Sequence, residues 1–223
     1  GSHRIAWDLR HTNPYPVSNG TGGWRSGGPM ATPGTYMASL SLEKEGIIAP
    51  LDGPVSFEVR PIRDGVLEGV NYATFNNYFE SVKTLLNESA AYEDALSMAD
   101  KKLAMFETAL YRTNTDPQAI LSLITEAKKA LAGLRKQIDG SPSKNIIGER
   151  NPASWQDHLS VAMRGMGTTY GPTPLHKQSL QIAAELLENM KAAIKDVAQE
   201  KVPAIEAALI KAGAPYMSGQ GIE

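Results

Sequence analysis

The stretch from Tyr72 to Arg112 constrains this chain more than any other. Phe75, Tyr78, Phe79, Val82, Leu85, Leu86, Ser89, Tyr92, Leu96, Ala99, Leu103, Phe106 and Leu110 recur at steps of three and four, with no proline or glycine among them. That spacing puts them on one stripe of a single helix, roughly 60 Å long at 1.5 Å per residue. An apolar stripe of this length must be buried against other elements, so the rest of the chain has to supply them. The helix also divides the sequence: short strands and glycine-rich loops precede it, and helical patterns follow it.

Downstream, a capping residue followed by proline occurs three times. Asp116-Pro117 opens a helix over about 116–138, with Ile120, Leu121, Ile124, Ala127, Leu131, Leu134 and Ile138 inward, and Asp139-Gly140-Ser141-Pro142 ends it. After a linker to Arg150, Asn151-Pro152 opens a short helix over about 152–164 that bears Trp155, Leu159, Ala162 and Met163. Thr173-Pro174 opens the last helix, about 174–212, whose stripe includes Ile182, Ala183, Leu186, Met190, Ala193, Ile194 and Val197. Pro203 falls inside that pattern and is expected to kink or restart it, and Gly213 is a fitting stop. Glu93 and Asp94 with Lys101 and Lys102, and Glu185 and Glu188 with Lys191 and Lys195, read as solvated faces with local ion pairs. The first and last helices match in length, and the two between them together span a similar length. The pattern predicts an up-down-up three-helix bundle with a broken middle leg over residues 63–223.

Residues 1–62 read as β. Arg4 to Leu9 alternates with period two, and a loop rich in glycine and proline runs from His11 to Thr32. Thr35 to Leu42 forms the next strand, with Tyr36, Ala38, Leu40 and Leu42 on one face, and Glu43-Lys44-Glu45-Gly46 makes a hairpin tip. Ile47 and Ile48 resume a strand, Leu51-Asp52-Gly53-Pro54 interrupts it, and Val55, Phe57 and Val59 alternate in a last one. Four strands are fewer than the roughly seven of an immunoglobulin-like sandwich. The expectation is therefore an α+β chain whose β part is a partial immunoglobulin-like sandwich, its missing strands lying upstream of Gly1 or coming from a partner. Residue 1 reads as a cut inside a longer protein.

Composition narrows the chemistry. The absence of cysteine removes disulfides, thiolate metal sites and cysteine nucleophiles, and a net charge of -2 argues against a nucleic-acid partner. No run of eighteen apolar residues is present, so no membrane span is expected. His3, His11, His158 and His176 are scattered, without a His-x-x-x-His pair, and no Glu-x-x-His, Gly-x-Ser-x-Gly or P-loop pattern occurs. No catalytic residue, metal site or cofactor is expected. Candidate binding residues are Trp24 and Arg25, a large aromatic and a planar cation in the glycine-rich loop, with Tyr15 and Trp155 as further aromatic platforms for a protein or glycan. The plainer reading of Trp155 is that it locks the short helix onto the bundle.

Trp7-Asp8-Leu9-Arg10, preceded by Gly1-Ser2-His3-Arg4-Ile5-Ala6 and followed by Pro33-Gly34-Thr35-Tyr36, resembles a module of exported bacterial proteins. These carry sortilin-like, BNR-repeat β-propellers and are often labelled glycosyl-hydrolase-like. Arg150 to Trp155 with Leu159, Pro172-Thr173-Pro174, Val202 to Ile205 and Leu209 to Pro215 are similar to the tail of the same proteins. The resemblance covers most of the chain. It implies an immunoglobulin-like domain following propellers, an extracytoplasmic location and upstream propeller domains as partners, and it carries over no catalytic residue. The resulting expectation is a non-catalytic C-terminal structural or interaction module. The alternatives are an accessory part of a glycan- or peptide-processing hydrolase, and a glycan-binding module.

Overall fold

The computed structural model describes residues 4–17, 27–62, 69–168 and 170–220. Its architecture is α+β: one two-stranded antiparallel sheet, then a set of helices around one apolar core.

The strands are β1 (Gly34–Lys44) and β2 (Ile47–Val59). They are joined by Glu45-Gly46, both at positive φ (54° and 78°), the two-residue turn whose twist suits a hairpin. Where four strands were expected, the described residues contain this one hairpin. Leu51-Asp52-Gly53-Pro54 does not end a strand; β2 runs through it, and the pairing shifts register there instead. Gly53 makes this workable, since its φ is +94° and a Cβ would lie 2.7 Å from the Ala38 carbonyl oxygen. The segment Arg4 to Leu9 is not a strand either. Leu9 turns to φ 58°, and only the single bridge Arg10↔Met30 pairs next to it. Alternation alone does not supply a neighbouring backbone to pair with, which is why the period-two pattern misled here.

The long helix is α1 (Tyr72–Leu110), capped by Asn71, whose side-chain oxygen accepts from the Thr74 N–H at 3.0 Å. Every predicted stripe residue except the half-buried Tyr92 is buried. The second helix, α2 (Gln118–Asp139), starts after Pro117, and Asp116 Oδ1 accepts from the Gln118 N–H at 3.0 Å. In place of a plain linker, a short helix, α3 (Pro142–Ile146), precedes α4 (Trp155–Arg164). The cap of α4 is Ser154, in a reciprocal capping box with Asp157, and not Asn151. Asn151 instead clasps the end of α2: it donates to the Ser141 carbonyl at 3.2 Å and accepts from the Ser141 N–H at 3.4 Å.

Helix α5 (Pro174–Lys195) begins at Thr173, as expected, with His176 completing the box through Nδ1. Pro203 neither breaks nor sharply restarts the last leg. A π turn over Asp196–Lys201 carries the chain into α6 (Val202–Lys211), and the Val202 N–H donates five residues back, to the Val197 carbonyl. Widening the helix by one residue just before a proline accommodates its ring and its missing N–H. The end is a Schellman motif at Gly213: the Gly213 N–H donates to the Ile210 carbonyl and the Ala214 N–H to the Leu209 carbonyl, each at 3.0 Å.

Helix α1 packs against α2, α5 and α6, and α4 lies on α5 and α2. Leu96, Leu103, Phe106, Leu110, Ile124, Ile194, Ile205 and Leu209 are the large side chains sealed at the centre. The charges around this core pair between helices as well as along them. Glu93 bonds Arg135 of α2 at 2.6 Å, Lys102 bonds Glu206 of α6 at 2.9 Å, and Lys191 of α5 bonds Glu88 of α1 at 2.6 Å. Of the expected local pairs, Glu188–Lys191 forms. No helix among the described residues is long and apolar enough to cross a membrane.

Candidate interaction surface

The predicted binding residues do not converge. Trp24 and Arg25 lie outside the described residues. Tyr15 packs half-buried against the helical core, in a segment whose Pro14 carbonyl accepts from Asn87 of α1 at 3.3 Å. Trp155 is 3% exposed and its indole N–H donates to the Ala183 carbonyl at 2.9 Å, so its ring has no open face for a sugar. The geometry suits the plainer role: Trp155 pins α4 to α5.

A void beside Trp155, lined by Ser89, Tyr92, Glu93, Ile138, Leu187, Met190 and Ile194, measures about 10 Å³. That is room for about one water molecule and far below the size of a ligand pocket. Among the described residues no group of three or more histidines and carboxylates is placed to hold a metal ion. His11 stacks near Phe79, with ring centroids 5.9 Å apart, and His176 is engaged in the cap of α5. The shifted ionisations have structural causes. Hydrogen bonds from the Ser154 backbone and hydroxyl hold the Asp157 carboxyl below its usual range. Glu188 and then Glu88 hold the Lys191 ammonium above its usual range. Burial pushes the Tyr78 hydroxyl up to about 12, where it donates to the Ala162 carbonyl at 2.7 Å.

The surface that stands out is on the hairpin. Residues paired across an antiparallel ladder share a face. One face therefore carries Tyr36 with Phe57, Ala38 with Val55, Leu42 with Ala49, and Leu40 opposite Asp52. The other carries Thr35 with Glu58, Met37 with Ser56, and Ser41 with Pro50. The second face also carries Ile48 opposite Glu43, so the first is the more apolar of the two, and among the described residues only its base is occupied. Trp7 sits there, 5.4 Å from Tyr36 and 5.9 Å from Phe57 between ring centroids, and Tyr36 donates to the Thr32 carbonyl at 2.7 Å. Beyond the aromatic trio the face is open: Leu40 is 48%, Leu42 49% and Ile47 70% exposed. An exposed strip that is apolar apart from Asp52 and Lys44 makes this face the candidate interaction surface among the described residues. The alternation at Tyr36, Ala38, Leu40 and Leu42 was readable in the sequence; that nothing in the described chain covers it was not.

The same N-terminal region ties the hairpin to the helices. Asn76 of α1 donates to Thr32 Oγ1 at 3.4 Å, and His11 lies on Phe79. The aromatic first turns of α1 do meet the β part, as their position suggests, but through Phe79 and Asn76. Tyr78 faces inward to α4 and α5.

No protein-family model, no curated protein and no solved structure matches this chain.

Proposed function

We propose that this chain is a non-catalytic structural and interaction module of a secreted or envelope-associated propeller protein. In this reading the hairpin belongs to an immunoglobulin-like sandwich whose other sheet comes from chain upstream of Gly1 or from a partner. The helices form the up-down-up bundle with a broken middle leg that spaces or docks the module. The observation that supports it is the open apolar face at Leu40, Leu42, Ile47 and Val55. Leaving such a face in water is unfavourable, and a sheet packed about 10 Å above it is the usual remedy. The extracytoplasmic location and the propeller partners rest on the resemblance at Trp7-Asp8-Leu9-Arg10 and Pro33-Gly34-Thr35-Tyr36.

The test is amide hydrogen exchange on the chain alone and joined to the protein segment encoded before it. Strong protection gained at Gly34–Val59 in the longer protein is the expected result. Equal exchange in both, or turnover of a glycan or peptide by this chain alone, refutes the reading.

A further inference from the structure

We infer that the outer edge of β1 is a self-complementary docking edge that pairs antiparallel with β1 of a second copy of this chain. The proposal goes beyond the function proposed above, which concerns the apolar face of the hairpin and not its edge. Among the described residues the sheet has two strands, so both outer edges are open. The two edges differ. In β2, Pro50 and Pro54 have no N–H, and both register shifts place their extra residues on β2, so its row of backbone donors is broken. In β1, Gly34–Lys44 is continuous, without proline or bulge, and exposed along its length except at Tyr36. An unprotected edge of this kind is a template for strand addition.

The sequence of β1 selects its own reverse as the added strand. With a two-fold axis at Ser39, Gly34 faces Lys44 of the second copy, Thr35 faces Glu43, Tyr36 faces Leu42, Met37 faces Ser41 and Ala38 faces Leu40. All of the strand is used. Apolar residues meet apolar residues on the face that carries Trp7, polar or mixed pairs meet on the other, and no like charges oppose each other. Other registers are worse. A shift of one residue puts Tyr36 against Ser41 or Glu43, depending on direction, and mixes the two faces. A shift of two in one direction sets Lys44 against Tyr36, and in the other it leaves Glu43 and Lys44 without partners. The product is a closed dimer with a four-stranded sheet in the order β2-β1-β1-β2, in which only the proline-interrupted edges remain outside.

The test uses the full chain in sedimentation-velocity runs over a wide concentration range. The wild-type chain is expected to dimerise. Ser39→Lys, at an exposed position on the axis, is expected to weaken the dimer at least tenfold by setting like charges face to face, and Ser39→Glu to do the same. An equimolar mixture of the two variants is expected to restore the dimer, with circular dichroism of each variant unchanged. A wild-type chain that stays monomeric, variants that dimerise as well as wild type, or a mixture that does not recover would each overturn the proposal.

Discussion

Tyr78→Phe isolates one buried hydroxyl at the junction of three helices. Tyr78 is 6% exposed, and its hydroxyl donates to the Ala162 carbonyl at 2.7 Å and lies 3.2 Å from the His176 carbonyl. Phenylalanine keeps the ring and removes only the oxygen. The Ala162 carbonyl keeps a partner, because the Gly165 N–H also donates to it. The cost at neutral pH is therefore that of one neutral hydrogen bond, about 1 kcal/mol. Alkaline pH reverses the sign. Burial holds the folded-state pKa of Tyr78 at about 12 against an ordinary 10.0. The unfolded chain ionises first, so this tyrosine's contribution is intact below pH 10 and is lost as the pH climbs from 10 to 12. A shift of two pKa steps corresponds to roughly 2–3 kcal/mol. The wild type is thus expected to be the more stable protein at pH 8, to match the variant at about pH 11, and to fall below it at higher pH. Urea unfolding followed by far-UV circular dichroism at a series of pH values measures this, and the tyrosines common to both proteins cancel in the difference. A stability gap that stays constant with pH, or no gap at pH 8, refutes the buried donor.

Three further perturbations address other parts of the fold. Gly53→Ala forces a Cβ to within 2.7 Å of the Ala38 carbonyl at a φ of +94°, so the hairpin should lose about 2 kcal/mol or more, read as faster amide exchange in β2 with the helical unfolding transition unchanged. Lys102→Ala strands Glu206, whose Oε1 is buried without a hydrogen-bond partner among the described residues; a loss of about 2 kcal/mol is expected in chemical unfolding. The paired change Lys102→Met with Glu206→Leu should restore most of it. Trp155→Ala should cost about 3–5 kcal/mol through the cavity it leaves in the α4–α5 contact, while any ligand binding by the folded remainder stays unaltered.

The helical half was legible because its signals are local. A stripe at steps of three and four needs only the helix's own geometry to define a face, and the buried residues of α1 other than Ala109 fall on the predicted positions. The same holds for Thr173-Pro174 and Gly213, where a side-chain oxygen, a missing N–H and a tolerated positive φ act within one turn. Local signals also competed. Asn151 and Ser154 are both good caps, and the choice fell to Ser154 because Asp157 completes its box, while Asn151 reached the Ser141 backbone ten residues away.

Sequence alone thus determined the helices other than α3, most of their boundaries, the alternation of the hairpin and the lack of thiol chemistry. Those are consequences of backbone geometry and composition. Only the tertiary structure decided which charges pair, since Glu93, Lys102 and Lys191 found partners on other helices more than forty positions away. Only packing decided that Trp155 is a core residue and not a platform, and that Pro203 is absorbed by a π turn. The fate of the hairpin is the clearest case. Alternation states that Leu40 and Leu42 share a face, but whether that face meets a second sheet, a helix or water depends on the path of distant chain, which no local pattern encodes.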